Sequence, residues 1–366
     1  MISPHCFSFK WIDEKRRELG CDPAILEKSV HALDLLALLA ENGPHFVFKG
    51  GTSLLLRLPT IRRLSIDIDM VCQDFDAIKS TLDKFCKPEA RFFRWEHDVR
   101  RDRENPPLRH IKVYYKPVAG AGKFDEYVLL DILTSPPSYP KIELLPISIP
   151  SLDIGTDHQV NVAMPSVEGL LADKLAAFAP TTIGILYSKG EVLQIAKQLF
   201  DVGELFEMEH ELKNIRTAYK AIFAEENRYR GGRHTFESCL KDTIEAGMKL
   251  SRMELKGAPP EDEEAKALRK GINNLSGNLV QCRFRISLEA RVAASKAACL
   301  ASLLMDEGAS HKVDKLRYLK GVHEQRLNNL NLPVPFEALN RLKTINQEAF
   351  YYWCLALKQL SWRNLD

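Results

Sequence analysis

The hydrophobic period of this chain changes once, near residue 165, and that change sets what the chain can fold into. Before it, short strand-like segments recur at 45–49, 64–72, 91–97, 109–115, 127–133 and 144–149, separated by turn and breaker residues. From Pro165 to the C-terminus the pattern is helical, apart from Lys256-Gly257-Ala258-Pro259-Pro260 and the pair Pro333 and Pro335. One helical pattern precedes the strands and a shorter one lies among them. Residues 22–41 open with Asp22-Pro23, an N-cap and first-turn proline, and carry Ile25, Leu26, Val30, Leu33, Leu36 and Leu39 before Asn42-Gly43-Pro44 ends them. A shorter one runs from Phe75 to Cys86 and closes at Lys87-Pro88. The order predicts an α/β fold: a mixed sheet flanked by helices, followed by a mostly α-helical C-terminal domain.

A single constellation within the strand-rich region carries chemistry. The strand His45-Phe46-Val47-Phe48 leads into Lys49-Gly50-Gly51-Thr52-Ser53, and an apolar segment from Thr52 to Leu58 reads as a helix. Such a turn suits phosphate, because glycines let a ligand approach the backbone and first-turn amides lack partners within the helix. Thr52 and Ser53 stand where a hydroxyl caps the helix or touches a phosphate. Downstream, Leu64-Ser65-Ile66-Asp67-Ile68-Asp69-Met70-Val71 alternates, so that Ser65, Asp67 and Asp69 share one strand face. Carboxylates two apart on a strand sit roughly 7 Å apart at the backbone, within reach of shared divalent cations. Each half is common alone, as a tight turn or a solvated sheet face. Together they ask for a reason, since clustered carboxylates repel unless a cation or basic partner lies between them.

Composition narrows the class without choosing a function. The net charge is +2, so any nucleic-acid contact has to come from a local patch. The eight cysteines show no CxxC pair or regular spacing and read as reduced cytosolic thiols. No apolar run approaches the roughly 20 residues of a membrane span, and Met1-Ile2-Ser3-Pro4-His5 lacks the regions of a signal peptide, so the expected location is cytoplasmic, with no membrane partner. Neither a nucleophile elbow nor a Cys/His arrangement asks for covalent catalysis.

The glycine turn followed by Asp-x-Asp resembles the nucleotidyltransferase superfamily typified by DNA polymerase β. The fuller string, Phe48-Lys49-Gly50-Gly51-Thr52 with Arg63-Leu64-Ser65-Ile66-Asp67-Ile68-Asp69, is similar to the AbiEii (MenT-like) toxins of type IV toxin–antitoxin systems. Asp131-Ile132-Leu133, the helix from Pro165-Ser166 through Lys174 to Ala177, and Lys197-Gln198-Leu199-Phe200-Asp201-Val202 continue the likeness, which spans about residues 45–205. It implies a nucleotidyltransferase core at 45–205, preceded by a helical segment at 1–44 and followed by a helical domain at 206–366. The implied site has Asp67, Asp69 and Asp131 as metal ligands for magnesium or manganese. Lys49, Gly50, Gly51, Thr52, Ser53, Ser65 and Lys174 would bind the nucleoside triphosphate, and Lys174 and Asp201 would join the acids in catalysis. Serine at position 65 resembles the residue that a kinase-like antitoxin phosphorylates, which would set a dianion beside the acids.

Plain alternatives accompany these residues. Asp131 would otherwise cap a turn at a strand end, Lys174 would be a surface lysine on an amphipathic helix, and Asp201 would be the N-cap of a helix from Val202 to Glu209. The expected acceptor is the 3′ end of tRNA, with translation blocked as the outcome, a cognate antitoxin as partner and a monomeric enzyme. Arg91, Arg94, Arg100, Arg101, Arg103, Arg109, Lys112 and Lys116, interleaved with Phe92, Phe93, Trp95, Tyr114 and Tyr115, form the strongest basic concentration; Arg228 to His234 is a second. Those rings equally suit a core with solvated arginines opposite. Transfer to a protein or small-molecule hydroxyl, and a non-catalytic nucleotide- or RNA-binding protein, are the competing functions.

Overall fold

The computed structural model describes residues 1–119, 124–310 and 312–361. The chain divides into two compact units, Met1–Ser166 with Gly277–Cys282, and Val167–Ser276 with Arg283–Asp366. The 45–205 stretch therefore contributes to both.

The first unit begins with α1 (Phe9–Leu19) and α2 (Pro23–Asn42), followed by β1 (Val47–Lys49), α3 (Leu54–Arg57), β2 (Ile68–Val71) and α4 (Phe75–Phe85). After these come β3 (Phe92–His97), β4 (Arg103–Glu104), β5 (Pro107–Tyr115), β6 (Glu126–Leu133) and a hairpin of β7 (Ile142–Pro146) and β8 (Asn161–Pro165). Helix α2 starts as the sequence dictates: the Asp22 carboxylate accepts from the amides of Ala24 and Ile25 at 2.9 and 3.1 Å. Such a cap is worth about 1 kcal/mol.

The main sheet has the order β1-β2-β6-β5-β3, with β4 paired to β5. It is mixed: β2 and β6 run parallel, whereas the β1–β2, β6–β5 and β5–β3 pairs are antiparallel. One sheet face is the core. Phe48, Ile68, Met70, Val128, Leu130, Ile132, Ile111, Val113 and Tyr115 are all buried there, and α2 packs on it through His31, whose ring stacks on Tyr115 at 3.7 Å between centroids.

Three local expectations give way to tertiary pairing. The strand expected over 64–72 enters the ladder only at Ile68, because the residues before it pair elsewhere. Arg63 bridges Leu279, the Leu64 amide donates to the Asn278 carbonyl at 2.8 Å, and the Val280 amide donates to that of Arg62 at 2.8 Å. The helix expected over 52–58 is one turn, Leu54–Arg57, preceded by a turn whose bonds run from Leu54 to Gly51 and from Leu55 to Thr52. A helix dipole is thus a minor contributor at the glycine turn. The sixth expected strand, 144–149, lies at 142–146, with β8 as its unforeseen partner.

The second unit contains α5 (Val167–Ala177), α6 (Val192–Phe206), α7 (Leu212–Tyr229), α8 (Phe236–Arg252), α9 (Glu263–Asn274), α10 (Arg291–Met305), α11 (Glu324–Asn328), α12 (Leu342–Ile345) and α13 (Gln347–Ala356). Helix α10 is its buried axis, with Ala293 through Leu304 inaccessible or nearly so. Gly247 lets α8 approach it: a Cβ there would stand 2.9 Å from the Ala294 carbonyl oxygen. Helix α9 has an acidic first turn of Glu263 and Glu264, with Asp262 accepting from the Ala265 amide at 2.8 Å. Residues 306–346, where the sequence pattern is helical apart from Pro333 and Pro335, form only short helical turns among the described residues.

Candidate active site

On the face opposite the core, one row of residues crosses four strands in register. Lys49 on β1 pairs with Asp69 on β2, Asp69 with Asp131 on β6, and Asp131 with His110 on β5. Paired residues of adjacent strands point to the same side at roughly 5 Å spacing. The row therefore sets two neighbouring carboxylates between a lysine and a histidine on a half-buried surface. Lys49 also places its ammonium 5.6 Å from the ring of the buried Tyr139.

The glycine turn closes directly on this row. Gly50 has φ +78°, and a Cβ at that position would stand 1.9 Å from Asp69 Oδ2. The carboxylate thus occupies the space that any other residue would fill with its side chain. At Gly51 a Cβ would lie 2.8 Å from the Ser65 hydroxyl oxygen and 2.9 Å from an Arg63 guanidinium nitrogen, so these groups crowd the other half of the turn. The Thr52 hydroxyl donates to the carbonyl of Asp67, and the Ser53 hydroxyl donates to the carbonyl of Gly50 at 2.8 Å. Both hydroxyls are buried in tying the turn to itself and to the aspartate segment. They therefore brace the turn, and Ser53 makes no capping hydrogen bond to the helix that follows.

Asp131 is held in turn. His110 Nδ1 lies 2.6 Å from Asp131 Oδ1, and the imidazole is buried. The sequence gives His110 no prominence; alternation puts it on a face with Lys112 and Tyr114, but only the β5–β6 register sets it opposite Asp131. Farther along that face the Lys112 ammonium lies 2.8 Å from Asp98, and their hydrogen bond holds the carboxyl below its usual range.

Among the described residues no three His, Cys, Asp or Glu side chains stand gathered as a ready metal-binding group. The donor chemistry nevertheless fits magnesium, which takes one or two carboxylates and keeps water or substrate phosphate on its other positions. Asp69 and Asp131, neighbours in the row with Asp67 just before β2, supply such oxygens.

Lys174 and Asp201 lie in the second unit and meet each other. Lys174 on α5 places Nζ 3.5 Å from Asp201 Oδ2 on α6, with both side chains buried. Neither plain alternative holds. Lys174 is not a surface lysine, and Asp201 is not an N-cap, because α6 continues through it to Phe206.

The basic strands are partly self-neutralised. Arg91 pairs with the buried Asp34 at 2.7 Å, Arg109 with Glu104 at 2.8 Å, and Arg94 stacks on Tyr114 at 3.4 Å. Phe92 and Tyr115 are core residues, whereas Arg100, Arg101 and Arg103 are exposed. In the second basic stretch, Arg230 donates to the carbonyls of Ile183 and Gly184 at 2.9 and 3.0 Å, a structural role.

A protein-family model matching residues 33–282 describes a nucleotidyl transferase, and this is the enzyme class of the chain. More narrowly, the model is that of the AbiEii toxins of type IV toxin–antitoxin systems; the chain belongs to the AbiEii family. The match ends at Cys282, the last residue of the segment that returns to pair with 62–64. Among solved structures, the MenT4 nucleotidyltransferase toxin of Mycobacterium tuberculosis is similar at 17% identity and a TM-score of 0.48, over 80% of this chain and 99% of that one. The JHP933 protein of Helicobacter pylori is similar at 12% identity and a TM-score of 0.40, over 81% and 93%. No curated protein matches the sequence. No described helix is long and apolar enough to cross a membrane.

Proposed function

We propose that this toxin transfers a nucleoside monophosphate from a nucleoside triphosphate to the 3′ end of tRNA and so blocks translation. The observation that carries the reading is the closure of the Gly50 turn on Asp69, with Asp131 next to Asp69 in register. That closeness of the glycine turn to two carboxylates supports a nucleotide and divalent-cation site at this end of the sheet. Asp67, Asp69 and Asp131 would hold magnesium, which on binding supplies charge neutralisation at the triphosphate and an activated acceptor oxygen.

The chain's own groups do the rest. Gly50 and Gly51 let the Asp69 carboxylate, the Ser65 hydroxyl and the Arg63 guanidinium close on the turn, and Lys49 contributes a cation at the end of the row. Family resemblance gives Lys174 and Asp201 roles in the reaction, and gives Ser65 the position where a phosphate from a kinase-like antitoxin would repel the incoming triphosphate. The exposed Arg100, Arg101 and Arg103 are suited to an RNA backbone.

Incubating the protein with total tRNA, magnesium and each labelled nucleoside triphosphate tests the proposal. Label on the tRNA 3′ end that disappears in Asp67→Ala is the expected result. Label on protein or on small molecules would move the acceptor to another hydroxyl, and absence of label from every fraction would overturn transfer by this site.

A further inference from the structure

We infer that His110 is a positioning residue for nucleotidyl transfer, fixing the Asp131 carboxylate in the orientation that the metal-binding site needs. The inference rests on the reading of Asp131 given above and adds to it a residue outside the acidic set.

The imidazole is well placed for that work. Its Nδ1 lies 2.6 Å from Asp131 Oδ1, so the ring donates a hydrogen bond to that oxygen and assigns Oδ2 to an incoming cation. A strand aspartate left to itself samples several rotamers, and each rotation of χ2 exchanges its oxygens. A charge-assisted hydrogen bond from a buried donor removes that freedom.

The donor is itself fixed. His110 is directly paired with Asp131 between β5 and β6. Its amide donates to Asp102 Oδ1 at 3.2 Å, and its carbonyl accepts from the Asp98 amide at 2.8 Å. Asp102 is held in turn by His97 Nε2 at 2.8 Å. The backbone that carries the imidazole is thus clamped on one side by β6 and on the other by the 98–102 loop. This is the arrangement expected where a partner behind a ligand sets the ligand's direction.

The test uses the full-length protein and manganese as a spin-active stand-in for magnesium. Manganese binding is followed by electron paramagnetic resonance in the wild type and in His110→Leu, His110→Asn and Asp131→Ala, and transfer is measured against magnesium concentration in the same proteins. His110→Leu is expected to weaken manganese binding, and to raise the magnesium concentration for half-maximal transfer, by about 10-fold to 100-fold. His110→Asn, which sets an amide nitrogen near the place of Nδ1, is expected to restore both to within a few-fold. Asp131→Ala is expected to lose more than either.

If His110→Leu binds manganese as the wild type does while Asp131→Ala does not, the role of His110 is overturned and the metal site stands. Equal impairment of the Leu and Asn variants also overturns it, because the donor is then irrelevant. Unchanged manganese binding in Asp131→Ala would instead remove Asp131 from the metal site, and the inference with it. Should His110→Leu fail to fold, His110→Gln replaces it; its amide lies one carbon too far out and is expected to be impaired relative to His110→Asn.

Discussion

Lys174 Nζ lies 3.5 Å from Asp201 Oδ2 between α5 and α6, with the two side chains 4% and 2% exposed. Both residues belong to the string that resembles the family's site, yet each is also an interior charge that needs its partner. Removing one takes the ion pair from the other's buried charge, at a cost of up to about 3–5 kcal/mol. Lys174→Met and Asp201→Leu should each lower the midpoint of denaturant unfolding, and the double variant should recover much of the loss. If transfer stays absent in a refolded, stable double variant, the pair acts in the reaction as well as in the fold; recovered activity would make it structural only.

Gly50→Ala should disable the enzyme without unfolding it. The backbone there has φ +78°, which costs an L-residue about 1–2 kcal/mol, and the new Cβ would displace the Asp69 carboxylate, whose Oδ2 stands 1.9 Å away. Misplacing such a group by about 1 Å costs on the order of 100-fold in rate. Gly20→Ala is the control, having φ +63° but nothing within 4 Å of its Cβ. It should share the stability loss and keep its transfer rate.

His31 gives the fold an acid-sensitive point. Burial pushes its pKa down from 6.5 to about 3, and its Nδ1 lies 2.9 Å from the Glu27 carbonyl oxygen. Between those pH values the unfolded chain binds a proton that the folded protein refuses. Stability therefore falls as pH drops from 6.5 toward 3, by at most about 1.4 kcal/mol per pH unit, and levels off below. Burial raises the carboxyls of Glu27 and Asp34, which works in the opposite sense. The measurement is the difference in unfolding free energy between wild type and His31→Gln from pH 7 to pH 4. That difference should grow in favour of the variant as pH falls.

Arg100, Arg101 and Arg103 should account for a share of the RNA affinity. Replacing all three with alanine should weaken tRNA binding and reduce the slope of log K against log salt by about two. Lys112→Ala, which removes a cation already engaged by Asp98 at 2.8 Å, should leave that slope nearly unchanged. Filter binding across a salt series separates the two outcomes.

Part of what is local in this protein was legible in the order of its residues. Period marked the strand-rich N-terminal region and the helical remainder, Asp22-Pro23 marked the start of α2, and the glycine turn with Asp67 and Asp69 marked the candidate site, because propensity, capping and alternation act within a few residues. Register and burial are set by segments far apart in the chain, and these emerged only with the folded structure. The return of 277–282 took Leu64 from the expected strand and the Thr52 hydroxyl holds the Asp67 carbonyl, and Asp201 lies within α6, which buries Val202, Leu205 and Phe206 beyond it. His110 became visible only once β5 and β6 were aligned, since nothing near it in the chain records which residue stands across the ladder.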